Sequence, residues 1–445
     1  MAGEGSTDCQ TSDNSVGRSY ATLRSWETRR EYGETLRSWR SGSKSLTFHS
    51  GGSDAPSYVL LAENLRNHRG YSYAGQPSAF RPPGYTLLIV GFISVFGSHY
   101  ISALRWFQFA LGILTVGACS ATASQLFGKK AAEATFVVGL FTPTLIFPTA
   151  QILTEGIAAL LTALFLMFLV TQCAKSDVKS AWGLGLTAGV ESLIRSNAAA
   201  LPVFAAWAVL RPKQETSRLL RIALVLLLPV LVVTPWFARN EIVFSGRVLY
   251  STHTGANAVQ GVITSQGRTQ PGDPERLIHA MGWCISQLET NDRSRLSLPS
   301  EVELNAHALR VVPQLWSQQH FHVVSLLLRK VADFWLSTDQ LLDTGSFALR
   351  ERLIRSVGVL IYWFGLLLAA FGWLVLRKTS LPLAQILGVY TLGFMILHLP
   401  FVMSTRIRIP LMEPLIVILS GPGWCWLRKN VQQRWVSVAP GRGLH

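Results

Sequence analysis

The residues best suited to chemistry stand at the ends of apolar runs. Asp54 opens a polar stretch at 53–85, and Arg81-Pro82-Pro83-Gly84-Tyr85 closes it. Further along come Glu155 in Leu153-Thr154-Glu155, Arg195-Ser196-Asn197, Arg239-Asn240, Lys330, and the pair Arg406 and Arg408. An aspartate ionised at neutral pH can accept a proton from a hydroxyl. Several arginines with few acids suit an anion such as a phosphate, because guanidinium groups donate paired hydrogen bonds. Ionisable groups at membrane depth or at its edge are costly, which marks them as functional candidates. A phosphate on a membrane lipid would sit at that depth, its chain between the spans. Plainer roles stand beside these. Asp54 before Ala55-Pro56 is a good helix start. Arg195 and Arg408 could snorkel to headgroups. Arg81 could be a solvated loop residue, and Glu155 a helix-start charge. Lys330 is a secondary phosphate candidate and, with Arg239, reads more readily as structural.

The elements that must position these residues are set by hydropathy. The chain has 445 residues, 49% of them apolar, and a mean hydropathy of +0.30. Charged residues make up 15%, against about 25% in soluble domains, which indicates an all-α polytopic membrane protein. The net charge of +15 falls in short clusters between apolar runs, a topology pattern rather than a nucleic-acid groove. The five cysteines are scattered, and His253, His320 and His322 lack ligand spacing, so neither a disulfide framework nor a metal site is expected. No cofactor is implied. Trp236, Trp335 and Trp424 fit interfacial belts.

Spans are expected at 102–127, 132–150, 152–171, 219–238, 354–376, 383–401 and 409–427. Residues 82–97 would reach roughly 24 Å as a helix, short of a ~30 Å hydrocarbon core, and read as an interfacial or re-entrant helix with Pro82 and Pro83 in its first turn. Residues 181–210 are too many for one span and few for two. Basic clusters at Lys129-Lys130, Lys175/Lys179, Arg211/Lys213/Arg218/Arg221, Arg377-Lys378 and Arg428-Lys429 all reach the cytoplasmic side only if 181–210 goes in and comes back. Two short helices meeting near Arg195-Ser196-Asn197 follow, with Ser196 or Asn197 capping the second and its positive end offered to an anion. The count is then about nine spans. The same parity puts the Asp54 loop, residues 239–352 and the turn 403–408 on the outer face. The long connection carries helical patterns at 306–316 and 321–336 and is expected to form a small mixed cap.

From Asp54 onward the chain resembles GT-C-type glycosyltransferases that use polyprenyl-phosphate sugars, of the protein mannosyltransferase-like and aminoarabinose transferase-like kind. The residues that carry the resemblance are the Asp54 loop with Tyr58, Ala62 and Leu65, then Gly70-Tyr71-Ser72 and Phe80-Arg81-Pro82-Pro83-Gly84-Tyr85. It continues through Leu153-Thr154-Glu155, Arg195-Ser196-Asn197, 235–240 and Arg406-Ile407-Arg408-Ile409-Pro410, and so covers about 53–427. It implies a GT-C-like bundle with interfacial helices and a mixed extracytoplasmic loop region in the plasma (inner) membrane. It also implies sugar transfer to a hydroxyl of a lipid, glycan or protein acceptor on the outer face, with inversion. The first-loop aspartate of such enzymes corresponds to Asp54 as general base. Ala55 stands where some relatives have a second acid, which argues against a metal held by a pair. The implied substrate-binding set is Arg81, Tyr85, Glu155, Arg195, Asn197, Lys330, Arg406 and Arg408, with no nucleic acid as partner and membrane lipids around the chain.

The organisation expected is a polar tail at 1–52, a first outer catalytic loop with its interfacial helix at 53–101, and a membrane bundle at 102–238. An extracytoplasmic loop region at 239–353, C-terminal spans at 354–427 and a cytoplasmic tail at 428–445 complete it. The tail repeats Thr-Leu-Arg-Ser-Trp at 22–26 and 35–39 and reads as disordered or mis-framed. Nothing in it could span, although relatives begin with a span, and the change of character near Leu46 to Gly52 points to a frame shift upstream. A transporter or flippase of an anionic lipid-linked substrate is the alternative. It should show paired interrupted helices in two halves, and only one interrupted pair, 181–210, is visible.

Overall fold

Prolines and one extended residue decide where the apolar runs stop being continuous helix. A computed structural model of the chain describes residues 55–73, 75–211, 217–263, 300–317, 323–338, 349–401, 403 and 405–438. Asp54 and the tail lie outside the described residues. Helix α1 (Ala55–Arg66) is followed by a hairpin of two-residue strands, β1 (Ser72–Tyr73) and β2 (Gln76–Pro77), antiparallel with Ser72 opposite Pro77. Helix α2 (Pro83–Phe96) begins at the double proline, whose fixed φ suits a first turn. A single 3-10 turn at Gly97–His99 joins it to α3 (Tyr100–Phe127).

The run expected as a span at 132–150 is instead broken. Helix α4 (Lys129–Leu140) stops before Pro143, a four-residue α5 (Pro143–Ile146) follows, and Pro148 sits in a 3-10 turn (Phe147–Ala150). Proline removes a backbone donor and clashes with the preceding turn, which favours a break here. Helix α6 (Glu155–Lys175) is continuous. The 181–210 region is interrupted where expected. Helix α7 (Val178–Ile194) ends at Arg195, whose backbone is extended (φ −140, ψ 120), and a 3-10 turn (Ser196–Ala200) leads to α8 (Leu201–Leu210). The expected cap is absent, however. Neither Ser196 nor Asn197 caps the second helix, because the 3-10 turn supplies the entry and the Asn197 amide is engaged elsewhere.

The remaining helices are α9 (Arg218–Phe244), α10 (Thr254–Ile263), α11 (Glu301–Ser317), α12 (Val323–Leu336), α13 (Leu349–Thr379), α14 (Leu381–His398) and α15 (Thr405–Val438). Among the described residues, six helical stretches are long and apolar enough to cross a membrane: Pro83–Phe127, Glu155–Lys175, Arg218–Phe244, Leu353–Thr379, Leu381–His398 and Thr405–Gln432. The architecture is therefore a helical polytopic bundle, with α4, α7 and α8 as shorter members.

The main core joins α3, α6, α7, α8, α14 and α15 through residues such as Leu166, Leu184, Phe204, Tyr390 and Leu415. A second cluster packs Tyr58, Val59 and Ala62 of α1 on Tyr85, Ile89 and Ile93 of α2, with Ile152 and Ile194 beside them. Tyr85, Ile89 and Ile93 recur every four residues, so one stripe of α2 is buried while Leu87 and Val95 face outward. Trp236, expected in an interfacial belt, has little exposed surface. It is buried in a third cluster with Tyr71 and Phe244, and its indole N–H donates to the Tyr250 carbonyl at 2.8 Å.

Candidate functional site

Three helix ends converge on one carboxylate. Glu155 is the first residue of α6, Arg195 follows the last residue of α7, and Arg406 is the second residue of α15. Arg406 Nε lies 2.9 Å from Glu155 Oε1, and Arg195 Nη1 lies 3.6 Å from the same oxygen. Arg195 also donates from Nη1 to Thr154 Oγ1 at 2.8 Å and from Nη2 to the Arg406 carbonyl at 3.1 Å. The Thr154 hydroxyl donates to Glu155 Oε2 at 3.4 Å. Glu155 is 0% exposed, while the side chains of Arg195 and Arg406 keep 16% and 24% of their surface. A carboxylate out of water costs several kcal/mol unless cations and dipoles surround it. Two guanidinium groups and the N-terminus of α6 meet that need here. The void beside Glu155, lined by Gly112, Thr115, Thr144 and Ile409 among others, is too narrow to admit a water molecule.

The Arg81 loop is brought to the same corner. Gly84 lets α2 start against the end of α7: a Cβ there would stand 2.7 Å from the Leu193 carbonyl oxygen, two residues before Arg195. The Tyr71 hydroxyl donates to the Arg81 carbonyl at 2.9 Å and shares a hydrogen bond with Thr86 Oγ1 at 3.1 Å. Burial pushes the Tyr71 phenol up, so it stays a donor. The Arg81 guanidinium stacks over the rings of Tyr58 (5.2 Å) and Phe80 (4.9 Å), so it sits at the first turn of α1. Tyr85, expected to touch substrate, is instead fully buried and packs edge-on against Tyr58 at 5.1 Å.

Two of the expected phosphate cations are committed to the protein. Arg408 is wholly buried, pairs through Nε with Glu413 at 3.0 Å, and donates from Nη1 to the carbonyls of Phe334, Trp335 and Ser337. It also lies over the Tyr362 ring at 4.4 Å. Arg408 thus ties the frayed end of α12 to α15. The ammonium of Lys330 donates to the carbonyls of Leu399 and Phe401 at 2.7 and 2.8 Å, just past the end of α14. These are orphan acceptors of a helix end, which a cation satisfies well. Burial pushes the Lys330 amine down to about 8, with Asp333 acting in the opposite sense.

Asn197 stands two residues beyond Arg195, and its Nδ2 lies 3.2 Å from His398 Nε2. His398 Nδ1 lies 2.7 Å from the Phe394 carbonyl, so Nδ1 carries the proton and Nε2 accepts from the amide. His398 had no signal in the sequence, since its partner is 201 residues away. Arg239 donates to the carbonyls of Ser78 and Tyr71 at 2.8 and 3.0 Å, the structural role it was expected to have. Among the described residues no group of His, Cys, Asp and Glu is arranged to hold a metal ion.

Residues 80–238 match the model of the dolichyl-phosphate-mannose-protein mannosyltransferase family. That stretch contains Arg81, Tyr85, Glu155, Arg195 and Asn197. In that stretch and in its fold the chain is similar to GT-C-type membrane glycosyltransferases. The crystal structure of the Archaeoglobus fulgidus oligosaccharyltransferase, tethered with an acceptor peptide containing the NVT sequon, is similar in fold, with a TM-score of 0.50 and 15% identity over 95% of this chain and 50% of that one. This chain thus spans half the length of that protein. AglB from the same organism, in complex with an inhibitory peptide and a dolichol-phosphate, gives 0.49 and 15% over 90% of this chain and 50% of that one. ArnT from Cupriavidus metallidurans bound to undecaprenyl phosphate gives 0.36 and 17% over 88% and 76%. A sequence search of curated proteins finds no match.

Proposed function

We propose that this chain moves a sugar from a polyprenyl-phosphate donor to an acceptor hydroxyl on the outer face of the plasma membrane, with inversion. The observation that carries this reading is the convergence of Arg195 and Arg406, both partly exposed, on buried Glu155. In the reaction Asp54 takes the proton of the acceptor hydroxyl as its oxygen bonds to the anomeric carbon. The bond from that carbon to the phosphate oxygen breaks, and its electron pair leaves with the polyprenyl phosphate. Such general-base help contributes typically 10²–10⁴-fold. The leaving group carries its own charge and needs cations more than a proton. Arg195, Arg406 and Arg81 supply them, Glu155 orients the first two, and Asn197 lines the same turn. Arg408 and Lys330 hold the α12, α14 and α15 ends in place. The acceptor is a lipid, a glycan or a protein, and the sugar a hexose or a pentose.

Replacing Asp54 by Asn and assaying transfer from a polyprenyl-phosphate sugar in membranes tests the base. Turnover is expected to fall by roughly 10²–10⁴. Turnover at the wild-type level would remove Asp54 from that role.

A further inference from the structure

The loop before Arg81 is held by backbone bonds that its own hairpin cannot supply. Strands β1 and β2 are two residues each, and the hairpin's backbone pairing ends with the Ser78 N–H donating to the Tyr71 carbonyl at 3.0 Å. Buried backbone groups beyond that point need other partners. The Ser78 carbonyl accepts from Arg239 at 2.8 Å, the Ala79 carbonyl from the Thr252 N–H at 3.1 Å, and the Phe80 carbonyl from Ser251 Oγ at 3.1 Å. The Ala79 N–H is met by a carboxylate. Glu301 Oε1 accepts it at 2.5 Å, while Oε2 accepts from Ser78 Oγ at 2.9 Å. Ser78 Oγ in turn lies 3.1 Å from the Phe80 N–H.

Glu301 opens α11, a helix more than two hundred residues further along the chain, and Ala79 is fully buried beneath it. Both carboxylate oxygens are used on adjacent residues, and hydrogen bonds to an ionised acceptor are the strong kind. Burial pushes the Glu301 carboxyl up, and the bonds from Ala79 and Ser78 pull the other way. Ala79 is two residues from Arg81, and the intervening Phe80 ring is one of the two faces under that guanidinium.

We propose that Glu301 is a positioning residue: it latches the Ser78-Ala79 backbone and thereby fixes where the Arg81 guanidinium meets a lipid-linked phosphate. The second half of that statement rests on the donor-binding reading of Arg81 given above. The long outer connection then acts as a splint for the first loop.

The test uses the full chain in lipid nanodiscs, with Glu301→Ala, Glu301→Gln, Ser78→Ala and Arg81→Ala beside the wild type. Hydrogen exchange of the 75–81 segment reads the latch without any turnover. It is expected to speed up roughly tenfold or more in Glu301→Ala, and less in Ser78→Ala, which loses one of the two bonds. Glu301→Gln keeps an acceptor for the Ala79 N–H and should exchange at nearly the wild-type rate. Transfer from a polyprenyl-phosphate sugar is expected to show a donor KM raised roughly tenfold in Glu301→Ala, with kcat changed far less, and restored in Glu301→Gln. Unchanged exchange in both Glu301→Ala and Ser78→Ala overturns the latch. Faster exchange with an unchanged donor KM, while Arg81→Ala raises that KM, overturns the positioning role. If Arg81→Ala leaves the KM unchanged, the donor-binding reading of Arg81 fails and takes the positioning role with it, whatever the exchange shows.

Discussion

Glu155 and Arg408 look alike in sequence, each an ionisable residue at the edge of an apolar run, and both are wholly buried, but the structure gives them partners of opposite exposure. Glu155 serves two arginines that keep contact with water, whereas Arg408 is sealed with Glu413 and three carbonyls. Replacing Glu155 by Gln removes the charge that both arginines face. A fully buried pair broken on one side costs about 3–5 kcal/mol, and the partial exposure of Arg195 and Arg406 reduces this to about 1–2 kcal/mol. Transfer should fall further than stability, by roughly tenfold or more, since the arginines lose their orientation. Melting in detergent and transfer measured on the same preparation check both, and unchanged values would show that the cluster is idle. Arg408→Met is expected to behave in the other way. It leaves Glu413 buried and unpaired, so stability drops by about 3–5 kcal/mol. Adding Glu413→Leu removes the orphaned charge and should recover part of the loss. A selective rise in donor KM in well-folded Arg408→Met would mean that Arg408 does reach the donor.

Among the elements, close approach of helices is set by single glycines. A Cβ on Gly84 would meet the Leu193 carbonyl oxygen at 2.7 Å, so α2 can start against α7 only without a side chain there. Helices α13 and α15 make the same bargain twice: a Cβ on Gly372 would strike the Leu419 carbonyl, and one on Gly423 the Leu368 carbonyl. Small residues that let backbones touch are the usual interface of helices in lipid, where no hydrophobic drive separates helix from tail. Gly423→Val should therefore part α13 from α15 and lower stability by about 1–3 kcal/mol or more. Gly84→Val should displace the Arg81 loop and lower transfer with a smaller loss of stability. Comparing melting and turnover for the two variants separates a packing glycine from one that places the site. Equal effects of both on both readouts would contradict that division.

At the scale of the molecule, the site occupies one end of the bundle. Glu155 and Arg406 touch, and both stand at the start of long helices, α6 and α15, that run on from there. Lys175 lies roughly 30 Å along α6 from Glu155, and Arg428 roughly 33 Å along α15 from Arg406, each about one hydrocarbon thickness. Lys175 and Arg428 therefore stand at the far end, and on the positive-inside rule we propose that this end faces the cytoplasm. Single cysteines placed at Ser300 and at Lys378, in a chain without its native cysteines, should be labelled from opposite sides of the membrane. A membrane-impermeant thiol reagent on intact cells is expected to reach Ser300→Cys only. Labelling of Lys378→Cys instead would invert the topology and remove the outer-face reading.

Hydropathy and charge patterning alone determined the class of molecule, most of its helices, the break at Arg195 and the clustering of ionisable residues at span ends. These depend on local composition and on a transfer free energy that each segment pays independently, so a linear reading suffices. The tertiary structure decided which of those residues share a site. Arg195 and Arg406 are separated by 211 positions and Ala79 and Glu301 by 222, and no period or spacing links them. It also decided which side chains are open and which are sealed, because burial of Arg408, Lys330 and Tyr85 depends on what packs over them. The broken span at 141–150 shows the intermediate case: Pro143 and Pro148 were plain in the sequence, yet whether a neighbour re-satisfies the freed backbone or the helix ends is settled only by packing.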